Sequence, residues 1–273
     1  MSYQALKGLK IEDYMYPGED NALNLVRKIP VIKDLLSVMN NMTFQVQTLP
    51  ELHGSFYRVT EKTCPHLDKL FKEAKERLDI HKDIPLFVEP KFEYNAYTTG
   101  TTNPIVCITS AFVKNCSDDT LRFVLGHELG HIKSEHLVYD MLASSLVQLS
   151  QEIPVVGGLI TPALVVALYS WFRMHEFTCD RAGAIAVGSV DKAMIAVQTL
   201  LGVNEKIEGV HVTADDLMAQ NEMYREEEQN VITKAFMFMN IVTSTHPWTI
   251  DRIRELNKWG ESGEFDMLVE RLR

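Results

Sequence analysis

Cysteine is scarce in this chain. There are four in 273 residues, Cys64, Cys107, Cys116 and Cys179, with no Cys-x-x-Cys pair. Such spacing excludes a disulfide framework and fits reduced, part-buried thiols in a reducing compartment. Glycine and proline are also few, at 14 and 10, and no internal repeat is visible. With 46% hydrophobic and 23% charged residues, this excludes a collagen-like, repeat-biased or mainly disordered chain. Long basic runs are missing, and 27 Lys plus Arg stand against 37 Asp plus Glu, a net charge of −10. A binder of nucleic-acid backbone is therefore not expected. The first twenty residues hold no apolar core and no small-residue cleavage site, so no secretory signal is read and a cytoplasmic location is expected.

What is present is enough chain for one large domain or two modest ones. Residues 1–60 read as an N-terminal extension and 61–273 as the main domain. A helix is expected from Pro65, with Leu67, Leu70, Phe71, Ala74 and Leu78 on one face. Two apolar runs, LFV and IVCIT, flank a Gly/Thr/Asn-rich stretch and read as a hairpin or small sheet. Ser117-Asp118-Asp119 then offers a helix cap, and the spacing predicts one long helix running on to Ser150. A second helix is expected over MHEFTCDRAGAIAVG, an acidic surface excursion over 203–230, and a helical tail after Pro247.

The sharpest local signal is His127-Glu128-Leu129-Gly130-His131 inside the apolar run FVLGHELGHI. On a helix, positions i and i+4 share a face, so both imidazoles can address one ion, and neutral imidazole suits Zn²⁺. Glu128 projects beside that ion, where it can accept a proton from water. The plain alternative, a surface helix with scattered polar residues, conflicts with the apolar flanks. A catalytic zinc site wants a third protein ligand. Glu176 in the second helix is the best candidate, with His175 a competitor turned about 100° from it. Asp180, at i+4 from Glu176, suits a carboxylate that holds a ligand imidazole from behind. His246, in Ser244-Thr245-His246-Pro247, is read as a donor to a developing oxyanion, and Arg252 as a group that positions this segment or pairs with an acid near the metal.

Taken together, LGHELGHI, HEFTCDRAG and STHP with its following Arg resemble the zinc metallopeptidases of the HtpX and CAAX-prenyl-protease type, within the gluzincins. The resemblance spans residues 94–256. It implies an α+β, mainly helical zincin-like fold with a small β-sheet ahead of the zinc-binding helix. It also implies a zinc endopeptidase with one Zn²⁺ per chain held by His127, His131 and Glu176, and with Glu128 as general base. Family members place an edge strand before the zinc helix; here that is Asn95, Ala96, Tyr97, Thr98 and Thr99, which would pair with a peptide or protein substrate. A plain hairpin is the other reading of this stretch.

Many members of this type span membranes. Here the only candidate is 153–172, twenty residues without a charge. A single span there would put the two metal motifs on opposite sides of a bilayer. A helical hairpin over 137–172 is expected instead, lying on the core or touching a membrane surface from one side. The alternative function is a latent or non-catalytic zinc protein, with 203–230 covering the cleft. Oligomeric state is not readable from the sequence.

Overall fold

The computed structural model describes residues 5–21, 24, 49–100, 103–137, 162–199, 209, 212–230 and 247–273. Over these residues the chain is mainly helical, with one small sheet. Its elements are α1 (Leu49–Ser55), β1 (Tyr57–Arg58), α2 (Pro65–Arg77), β2 (Leu86–Glu89), β3 (Ala96–Thr99), β4 (Ile105–Thr109), α3 (Ser110–Asn115), α4 (Asp118–Lys133), α5 (Pro162–Val187), α6 (Val190–Gln198), α7 (Ala214–Glu228), α8 (Thr249–Glu261) and α9 (Glu264–Leu272).

The strand order is β1-β2-β4-β3, with β2 and β4 parallel and β3 antiparallel to β4 at the edge. All five residues of β4 are buried, as expected of a strand covered on both faces. Its side chains alternate: Val106 and Ile108 enter the main core, while Ile105 and Cys107 join Leu52 and Phe87 on the opposite face. The runs LFV and IVCIT form a small sheet but not a hairpin, since as β2 and β4 they pair in parallel; the antiparallel pair is β3 with β4, and β3 is the sheet's edge.

The main core is built by the predicted face of α2 (Leu67, Leu70, Phe71 and Ala74, with Leu78 just beyond it), by Leu121, Leu125 and Leu129 of α4, and by Ala182, Ile185 and Ala186 of α5. Leu6, Leu9 and Tyr14 of the N-terminal segment belong to the same core. The buried Arg77 Nε donates to the Ile185 carbonyl at 2.8 Å and ties α2 to the end of α5.

Three expectations are modified. The helix predicted to reach Ser150 ends at Lys133, because Glu135 takes φ 55°, a left-handed conformation that an α-helix does not contain. Residues 138–161, most of the expected hairpin and half of the uncharged run, lie outside the described residues; the remaining part, from Pro162, is continuous with the helix that carries Glu176. Among the described residues no helix is long and apolar enough to cross a membrane. The acidic stretch contains α7, opened by a Thr213–Asp216 capping box, with Leu217 in the core and most of its acidic groups exposed; residues 203–208, 210 and 211 are outside the description.

Candidate metal and catalytic centre

The centre is made where α4 crosses α5. Ser117 caps α4 by accepting from Thr120 N–H, and Asp118 and Asp119 favour its positive end. Its last turns carry Gly126-His127-Glu128-Leu129-Gly130-His131. The glycines set the depth of the crossing. A Cβ at Gly126 would sit 2.3 Å from Ala186 Cβ, and one at Gly130 would sit 2.8 Å from Ala182 Cβ. From the other side, a Cβ at Gly183 would come within 2.7 Å of the Phe123 ring. Close backbone approach is what lets a short carboxylate on α5 reach two imidazoles on α4.

It does reach them. His127 Nε2 and His131 Nε2 are 3.3 Å apart; Glu176 Oε2 lies 3.5 Å from the first and Glu176 Oε1 3.5 Å from the second, the carboxylate turning one oxygen to each ring. Ligands about 2.0–2.1 Å from a tetrahedral zinc are separated by about 3.3–3.4 Å, so this triangle has the right size for one ion. His175, the competing ligand, is not one of the three but stays near them: its Nε2 lies 3.6 Å from Glu176 Oε1, and its ring is edge-on to His131 and Trp171.

Behind His127, Nδ1 lies 3.0 Å from Asp180 Oδ1. An Nδ1–H donated to that carboxylate leaves the Nε2 lone pair facing Glu176 and His131. Arg252 closes the chain, donating to both Asp180 oxygens at 2.8 and 2.5 Å. Burial alone would raise the Asp180 carboxyl, but Arg252 and His127 outweigh it and hold Asp180 below the usual carboxylate range. Burial also disfavours charge on His127; the hydrogen bonds and charges of Asp180 and Glu176 win, and the metal-free imidazole is pushed up to about 9.

Glu128 is buried, and burial lifts its carboxyl above the ordinary value against the opposing pull of His127 and Thr98. Thr98 Oγ1 lies 2.8 Å from Glu128 Oε2 and 3.1 Å from the Glu128 carbonyl. The edge strand therefore touches the carboxylate directly. A cavity of about 590 Å³ opens over these groups. Asn95, Ala96, Tyr97 and Thr98 line one side, and Phe112, Phe123 and Val124 provide an apolar wall; Thr99 completes the strand. His246 is outside the described residues, while its neighbour Pro247 lines the cavity. Among the described residues none of α7 lines it.

Two contributions were missed from sequence: the Thr98 hydroxyl on Glu128, and the glycine seam. The Gly-x-x-x-Gly spacing of Gly126 and Gly130, overlapping the histidine motif, was the available signal for the second.

The chain is 28% identical over 270 residues to the plastoglobule-localized metallopeptidase 48, chloroplastic, of Arabidopsis thaliana, covering 97% of this chain and 77% of that one. A protease HtpX homolog of Burkholderia multivorans is 24% identical over 247 residues, covering 76% and 79%. Among solved structures, S. mikatae Ste24p aligns with a TM-score of 0.49 at 17% identity, over 83% of this chain and 57% of that one. The model of peptidase family M48 matches residues 61–260, most of the chain and all of the groups above from Asn95 to Arg252. The chain belongs to peptidase family M48 and is a proteolytic enzyme.

Proposed function

We propose that the chain is a zinc endopeptidase in which His127, His131 and Glu176 hold one Zn²⁺ and Glu128 is the general base. The observation that carries this is the buried triangle of two imidazole nitrogens and a carboxylate at zinc-ligand spacing, with a fourth, non-ligating carboxylate beside it at the cavity floor. Three protein ligands leave a position open, as catalytic zinc requires. When bound, the zinc polarises the scissile carbonyl and brings a water toward a pKa of about 7.

The chain's own groups do the rest. Glu128 takes the proton of the attacking water and returns it to the leaving amine; its raised carboxyl pKa favours this double duty. Thr98 fixes which Glu128 oxygen carries the proton by donating to Oε2. Asp180 holds His127 in the tautomer that presents Nε2, and Arg252 keeps Asp180 ionised. A peptide lies extended along the outer edge of β3, at Asn95–Thr99, and its side chains meet the Phe112–Phe123–Val124 wall. His246, beside Pro247 on the cavity wall, donates to the oxyanion of the substrate carbonyl. Residues 61–273 form the peptidase domain and 1–60 an extension, of which residues 13–19 dock on α5, α8 and α9.

The Arabidopsis relative is named for plastoglobules. For this chain we infer a cytoplasmic enzyme that touches a lipid surface through 153–172, checked by partitioning between cytosol and carbonate-washed membranes; complete absence from the unwashed membrane fraction would remove that contact.

Metal analysis and hydrolysis of a peptide library by wild type and Glu128→Gln test the central reading. The variant keeps its zinc and loses turnover by about 10²–10⁴-fold. Retained hydrolysis removes Glu128 as base. A wild type that holds zinc and cleaves nothing favours the latent alternative.

A further inference from the structure

A second group of ligand-type side chains lies just behind the first. One donor atom each from His131, His136 and Cys179 falls within 4.8 Å of the others, and all three residues sit in the interior. Cys179 is 0% and His136 1% exposed. Neither takes part in the peptide-cleaving chemistry argued above.

The arrangement has the marks of a metal site rather than of casual contact. His136 Nε2 lies 2.7 Å from Oε1 of Glu19, itself 1% exposed, and the other Glu19 oxygen accepts from Thr178 Oγ1. A carboxylate on one ring nitrogen fixes the proton there, orients the ring and leaves the lone pair on the other, the usual support behind a metal-bound histidine. That other nitrogen, Nδ1, faces Cys179 Sγ at 3.5 Å. Zinc bonds of about 2.3 Å to sulfur and about 2.0–2.1 Å to nitrogen, at a tetrahedral angle, separate the two donors by about 3.5 Å. One thiolate and two imidazoles form a set suited to a borderline-soft divalent cation.

We propose that His136, Cys179 and His131 form a second divalent-cation site, of the zinc class, sharing His131 with the first. Binding replaces the Cys179 thiol proton and, when both ions are held, the remaining ring N–H proton of His131, which then bridges them as an imidazolate; both protons leave to solvent, and the thiolate and imidazolate balance part of the ions' charge. The site staples the segment after α4 to α5 and, through Glu19, to the N-terminal extension. It goes beyond the peptidase reading but uses one of that reading's ligands.

Cobalt distinguishes the two sites, because His127, His131 and Glu176 contain no sulfur. The metal-free full chain is refolded with Co²⁺, desalted, and examined for metal content and for a thiolate-to-cobalt charge-transfer band in the near ultraviolet. Wild type is expected to hold two cobalt ions per chain and to show the band. Cys179→Ser and Cys179→Ala hold one ion and lose the band, while Cys64→Ser retains it. Glu176→Ala, damaged only in the first site, keeps the band with one ion. A single ion carrying the band in wild type also supports the site, with His131 then serving one ion at a time. One ion per chain without the band, in protein whose circular dichroism is unchanged, overturns the second site and leaves the first standing.

Discussion

Asp180 is the residue whose replacement separates metal binding from mere burial of charge. It meets His127 Nδ1 at 3.0 Å and both arms of Arg252 at 2.8 and 2.5 Å, with about 1% exposure. Asp180→Asn keeps the volume but removes the charge that matches Arg252 and turns one of its two acceptor oxygens into an N–H donor, which weakens the hold on the His127 tautomer. Loss of a carboxylate behind a metal-bound histidine costs about 10–100-fold in metal affinity. Leaving a buried guanidinium uncompensated costs about 3–5 kcal/mol, which at about 2–4 °C per kcal/mol lowers the melting temperature by about 6–20 °C. Melting is followed on metal-free protein, so that bound ion does not mask the loss, and affinity by competition with a chelator. Adding Arg252→Met removes the stranded charge. The double variant should recover most of the melting temperature and none of the metal affinity. Two results would refute the argument: wild-type zinc affinity in Asp180→Asn, or affinity restored by the second substitution, which would reduce Asp180 to a counter-ion for Arg252.

Thr98→Val should lower kcat/KM about 10–150-fold, the worth of one hydrogen bond to a charged group, with metal content unchanged and Thr98→Ser close to wild type; equal kinetics for Val and Ser would detach the edge strand from Glu128. His246→Phe should keep its metal and lose about 10²–10³-fold in kcat, whereas unchanged turnover would end its role at the oxyanion. His127 is charged in the metal-free protein below about 9, so a metal must displace the proton on Nε2; affinity should climb about tenfold per pH unit up to roughly pH 9 and then level off, and a flat profile between pH 6 and 8 would contradict an imidazolium whose Nε2 proton faces Glu176.

The grouping of His127, His131 and Glu176 was readable because each of its two motifs is a local signal. His127 and His131, like Glu176 and Asp180, stand four apart on helices, and a helical period is the most secure feature a single sequence offers. The start of α2 at Pro65 and the apolar runs of β2 and β4 were visible for similar reasons. What escaped depends on partners distant in the chain. Thr98 meets Glu128 across thirty residues, and nothing in a Thr-rich strand marks which hydroxyl turns inward. Glu19 finds His136 across 117 residues from within a polar turn. The end of α4 was hidden differently: apolar spacing continues past Lys133, and the break is a left-handed Glu135 with no glycine or proline to announce it. Gly126 and Gly130 are poor helix formers by propensity, yet they are where the neighbouring helix comes closest.

The N-terminal extension has a consequence for how the enzyme comes into being. Tyr16 N–H donates to Thr178 Oγ1, Arg181 holds the Met15 carbonyl, Tyr16 OH donates to Glu255, and Arg271 grips Asp13. These partners lie 162 to 258 residues further along the chain, on α5, α8 and α9. Full docking of the segment is therefore a long-range closure, completed only when all three helices are in place.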